Sequence, residues 1–117
     1  MSVEQQLFDA LKVLCPRTFP DFAPVSTPRP YITFQHVGGQ SLRYIDNTAA
    51  NIRHSEIQIN TWGDTRLSTM TLARQIEDAL CASTAFQATP NGEPVGDFDA
   101  DIPVYGTRQD WNIFAPR

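Results

Sequence analysis

The sequence predicts an α+β fold: a mainly antiparallel sheet with two helices packed on one face. Two segments repeat apolar residues at helical spacing, each as a single stripe. Other segments alternate apolar and polar residues, the mark of strands with one buried and one polar face. Two one-sided helices need a surface to cover, and a half-apolar sheet provides it. At 117 residues the chain lies in the single-domain range, so 1–117 is expected to be one domain that folds without a metal or disulfide.

Helix comes first. Ser2 and Gln5 form a capping box, and Val3, Leu7, Ala10, Leu11 and Leu14 make an apolar stripe that Pro16 stops. Residues 16–30 hold five prolines and read as an extended, semi-rigid arm, incompatible with helix or central strand. Phe19, Phe22 and Val25 punctuate the arm. They either pin it to the body or face a partner, and the cost of apolar surface in water favours pinning.

Residues 31–37 read as a strand, with Ile32 and Phe34 opposite Tyr31, Thr33 and Gln35. Gly38 and Gly39 turn the chain, and 42–45 is a short strand that pairs back as a hairpin. Residues 46–51 form a loop. Residues 52–62 are the longest strand, with Ile57, Ile59 and Thr61 on one face and Glu56, Gln58 and Asn60 on the other. Asp64 is the expected N-cap of a second helix reaching Cys81, with Leu67, Met70, Ala73, Ile76 and Leu80 as its core stripe. Residues 86–107 are loop-rich, and a strand at 108–114 closes the chain. The expected core is Leu7, Leu11, Leu14, Ile57, Ile59, Met70, Ile76 and Leu80.

Composition narrows the function. A hydrophobic fraction of 41% with a net charge of −4 is globular and argues against a protein whose main task is neutralising phosphates. No apolar run is long enough to span a membrane, and residues 1–6 lack the features of a signal peptide. Cys15 and Cys81 each close an apolar stripe and are expected to be buried, reduced thiols. Of nine basic residues only Lys12 is lysine. Arginine is favoured at interfaces, although ordinary lineage bias explains the count equally well.

Chemistry-bearing patterns are sparse. His36 and His54 lack metal-ligand spacing, and a zinc set with Cys15 and Cys81 would need two helix ends and two strands to converge. Nucleophilic catalysis by Cys15 or Cys81 would need a nearby base and an exposed thiol, whereas both read as the ends of buried stripes. Asp97, Asp99 and Asp101 begin like a calcium loop, but Ile102 stands where glycine is needed and Arg108 where a bidentate glutamate belongs. With Glu93 they make an acidic patch whose default reading is a solvated loop. Trp62, Trp111, Tyr31 and Tyr44 have no basic cluster beside them, so nucleic-acid recognition is unsupported. No cofactor, metal or catalytic residue is expected.

Four features in order resemble the phage tail completion family, also called tail terminator or head–tail joining proteins of siphophage-type tails and prophages. They are the opening helix with its proline arm, Pro30-Tyr31-Ile32-Thr33-Phe34, the long strand Glu56-Ile57-Gln58-Ile59-Asn60-Thr61-Trp62-Gly63, and the closing Arg108-Gln109-Asp110-Trp111-Asn112-Ile113-Phe114. The resemblance implies a structural virion protein and no enzyme. It implies a ring, often of six copies, that caps the tail tube, ends its growth and offers a surface to a head-completion or connector protein. Its partners would be itself, the tail tube protein and that head protein, with no sequence-specific nucleic acid and no membrane. It would be made in the bacterial host cytoplasm and reside in the virion tail.

Rival readings are a small intracellular enzyme or ligand-binding domain, and an adaptor that binds peptides at a sheet edge. For the ring, the hairpin bearing Arg43, Tyr44 and Arg53 is the expected first patch. Asp97, Asp99 and Asp101 supply the second patch or line the channel. Head-to-tail rings need two different patches, and arginine with tyrosine combines apolar area with directional hydrogen bonds.

Overall fold

The computed structural model describes residues 3–43, 45–47, 51–100 and 103–116. In chain order the elements are α1 (Val3–Leu14), β1 (Thr18–Pro20), β2 (Tyr31–Gly38), β3 (Ile52–Gly63), α2 (Arg66–Cys81), β4 (Gln87–Pro90), β5 (Val95–Asp99) and β6 (Val104–Pro116). The sheet runs β1-β2-β3-β6-β4, with β5 also on β6. Only β1 and β2 are parallel; the other pairs are antiparallel. The α+β architecture expected from the sequence is the one observed.

Alternation puts Ser55, Ile57, Ile59 and Thr61 of β3 on the helix face, opposite Ile113, Trp111, Gln109 and Thr107 of β6. Leu7 and Leu11 of α1 join Leu72, Ile76 and Leu80 of α2 over Ile32, Phe34, Ile57, Ile59, Trp111 and Ile113 in one core. Both helices therefore lie on the same face. Replacing Trp111 by a small residue removes about 3–5 kcal/mol of packing. Its indole N–H meets no acceptor among the described residues, so apolar burial alone holds it there.

The structure corrects several details. Leu14 and Met70 are half-buried, and Leu67 is exposed. The buried stripe of α2 is Thr69, Leu72, Ala73, Ile76 and Leu80. Rotation of the helix is set at its start, where the Thr69 hydroxyl donates to the Thr65 carbonyl and Thr61 donates to the Thr69 carbonyl. A Cβ on Gly63 would stand 2.5 Å from the Thr69 hydroxyl, which shows how closely that turn is packed. Thr65, not Asp64, is the N-cap: its side chain accepts from the Ser68 N–H, while Asp64 pairs with Arg29 at 2.9 Å. Ser2, the expected cap of α1, lies outside the described residues.

The arm contains a three-residue edge strand, β1, which ends at Pro20 as an edge strand can. Phe19 is half-buried, but Phe22 and Val25 are exposed, so pinning fails for those two. Arg29 does the pinning instead, through Asp64 and the Pro103 carbonyl at 3.0 Å. Residues 86–107 are not only loops. They supply β4 and β5, whose short runs and turn residues masked them. In 42–45 only Arg43 has a bridge partner, so no second hairpin strand forms among the described residues. Cys81 is exposed rather than buried, because it falls outside the stripe on the last turn of α2.

Contact surfaces at the two ends of the sheet

Strand β3 has twelve residues and so spans about 40 Å, which makes its two ends separate places. At the Ile52 end, the turn after β2 folds against β3. Gly39 adopts φ +128°, and a Cβ there would lie 2.4 Å from the His54 carbonyl oxygen. Only glycine lets the backbone pass so close. The Gln40 N–H donates to His54 Nδ1 at 2.9 Å, which leaves the proton on Nε2 to reach Asn112 Oδ1 at 2.8 Å. The imidazole stacks on Phe114 with centroids 4.7 Å apart. His36 sits 3.6 Å from Glu4 and 2.8 Å from the Gly38 carbonyl.

The result is a cleft of about 320 Å³ lined by His36, Gln40, Arg43, Arg53 and His54. Arg43 and Arg53, singled out from the sequence, do come together here. Tyr44 lies outside the described residues. Val37, Ile45 and Ile52 leave apolar surface exposed at this end. The histidines were not assigned to this surface from the sequence, although strand alternation already put His54 on the open face beside Glu56.

The Gly63 end is built differently. Trp62 stacks with Tyr31 at 6.3 Å and donates to the Thr33 hydroxyl at 3.3 Å. Across the strands its ring covers Gly106, where a Cβ would lie 2.8 Å from a ring carbon. The arm folds over the same open face, making a groove with Tyr31, Trp62 and Val104. On the helix face, Arg66, Met70, Phe98 and Tyr105 line a cleft of about 470 Å³. Asp97 borders this cleft and accepts from its own Phe98 N–H, while Asp99 borders the arm groove. Asp101 lies outside the described residues. The acidic strand and the arginine hairpin are thus at opposite ends of the sheet. Asp97 and Asp99 alternate along β5, which is strand geometry and not a calcium loop.

Among the described residues no three His, Cys, Asp or Glu groups stand at metal-binding distance. Cys15 donates weakly to the Pro30 carbonyl at the Gly63 end, and Cys81 lies beside Phe114 and Pro116 at the other. The two thiols are free. Partial desolvation, then the carboxylates of Glu77 and Asp78, hold the Cys81 thiol above its ordinary value, which disfavours the nucleophilic thiolate. No helix among the described residues is long and apolar enough to cross a membrane.

No curated protein matches the chain. A family of known proteins does: the signature of the tail completion protein gp17 family matches residues 5–95, from α1 into the first residue of β5. That span covers the arm, the long strand and the hairpin whose surfaces are described above. With most of its length matched, the chain belongs to the phage tail completion protein family, a family of structural tail proteins rather than enzymes.

Proposed function

We propose that this protein assembles as a ring on the end of the phage tail tube, stops tube growth and presents the surface to which the head joins. The observation that carries the reading is the uncovered hairpin end: Arg43 and Arg53 stand beside exposed Val37, Ile45 and Ile52 on a chain of the tail completion family. Arginine next to bare apolar surface is the composition of a protein contact. The hairpin end meets a neighbouring subunit or the tube, and the acidic β5 end supplies a second contact or borders the channel. A net charge of −4 suits a ring through which DNA must pass without being held. The protein is made in the host cytoplasm and taken into the virion tail.

Charge reversal tests this. The double variant Arg43→Glu, Arg53→Glu should keep its circular dichroism spectrum and lose ring formation or tube capping by electron microscopy. Unchanged rings and full tail termination would remove the hairpin end from the contact.

A further inference from the structure

Several arginines of this chain are engaged within it. Arg17 donates to the Pro30 carbonyl at 2.9 Å, Arg29 pairs with Asp64 at 2.9 Å, and Arg74 stands 3.9 Å from Glu93. The cleft at the Ile52 end is different. Four basic side chains line it, and two are already engaged: His36 by Glu4 and the Gly38 carbonyl, His54 by the Gln40 N–H and Asn112. Arg43 and Arg53 are exposed and form no ion pair among the described residues. None of the described carboxylates lines the cleft: Glu4 is turned to His36, and Asp46 and Glu56 lie outside the lining. The charge of the two guanidinium groups is therefore not offset inside it. Two like charges lining one cleft gain from an anion between them.

The lining also says what kind of anion fits. Ile52 and Leu42 stand among the arginines, and Ile52 is 49% exposed. Val37 and Ile45 continue the apolar surface at the same end. A phosphate backbone has no use for bare apolar side chains, whereas an acidic protein segment carries carboxylates and apolar groups together. The guanidinium fork matches a carboxylate with two parallel hydrogen bonds. A volume of about 320 Å³ is at the small end for binding clefts, and it suits a few side chains of a short segment rather than a folded surface. A chain of net charge −4 is also a poor holder of DNA.

We infer that this cleft captures a short acidic segment of a neighbouring tail protein. Arg43 and Arg53 take its carboxylates, and Ile52 and Leu42 take the apolar side chains between them. His54 is a positioning residue: its bond to the Gln40 N–H holds the turn that leads to Arg43, and Arg53 precedes it on β3. The inference rests on the contact proposed above for the hairpin end and states what that contact recognises.

The test is fluorescence anisotropy of the full chain with a labelled octapeptide alternating aspartate and valine. Saturable binding is expected, and Arg43→Ala or Arg53→Ala should each raise the dissociation constant about tenfold or more. Arg53→Lys keeps the charge but not the fork and should fall between. Both sites are exposed, so the circular dichroism spectrum should not change. Arg108→Ala, seven residues along β6 from the Ala115 that faces Arg53, should leave binding as it is. An equal loss with Arg108→Ala, or equal binding of a peptide with serine for aspartate, overturns the inference. A short DNA duplex bound more tightly than the peptide through the same two arginines makes phosphate the ligand and overturns it as well. No peptide binding, with tube capping still lost on charge reversal of Arg43 and Arg53, overturns the acidic segment and leaves the contact standing. Peptide binding with capping untouched by charge reversal overturns the contact, and with it the claim that the segment belongs to a tail partner.

Discussion

The two ends of strand β3 are closed in different ways. At the Gly63 end the parts interlock: Trp62 over Gly106, Thr61 hydrogen-bonded to Thr107, Gly63 against Thr69, and Arg29 across to Asp64. At the Ile52 end, among the described residues, the imidazoles of His36 and His54 hold the turn after β2, and Val37, Ile45 and Ile52 stay exposed. Close packing spreads a disturbance into the core, whereas a turn held by a few polar contacts opens locally and leaves the core alone. One end is suited to be a rigid base and the other to adapt to a partner.

Two glycines break or sharpen this contrast most strongly. Gly106→Ala drives a methyl into the Trp62 ring, which Tyr31 and Thr33 hold, and should cost about 1–3 kcal/mol in denaturant unfolding. Gly39→Ala meets backbone at a shorter distance and at φ +128°, yet its global cost should stay near or below about 1 kcal/mol, because the turn can open instead. A larger global loss for Gly39→Ala would break the contrast.

His54→Phe sharpens it next. The ring stack on Phe114 survives, while the bonds to Gln40 and Asn112 go. Hydrogen exchange at Gln40 should speed up, with a stability loss of about 0.5–1.5 kcal/mol and no change at Trp62. Matching acceleration at Trp62 would mean the two ends are coupled.

The smallest effect is chemical. Cys15 is buried at the locked end and should resist alkylation until the protein unfolds. Cys81 is exposed at the other end but its thiol is held up by desolvation and by Glu77 and Asp78. A raised value means less thiolate at a given pH. Cys81 should therefore react with iodoacetamide at pH 8, more slowly than an unhindered thiol, and catch up as pH rises. Faster reaction of Cys15 than Cys81 in the native protein would contradict the locked end.

Much of the candidate surface was legible in the sequence and part was not. Arg43 and Arg53 stand on either side of the polar loop that the sequence places at 46–51, so a chain that doubles back there brings them to one cleft, as observed. Asp97 and Asp99 were legible as acidic but not as a strand, since β5 is five exposed residues whose pairing to β6 leaves no periodic apolar signal. His54 as a clamp was not legible, because its two partners are 14 and 58 residues away.

The alternation and the stripes are written in the chain itself: two one-sided helices, a long half-apolar strand, and therefore an α+β sheet with one covered face. Those are local periodicities of about 2 and 3.6 residues, set by backbone geometry alone. The tertiary structure decided which stripe of α2 turns inward, where Thr69 and Gly63 overrule Leu67 and Met70. It also decided that the arm lies across the open face, and that the arginine and acidic residues part to opposite ends. Those outcomes depend on contacts between residues far apart in the chain, whose close packing no local pattern records.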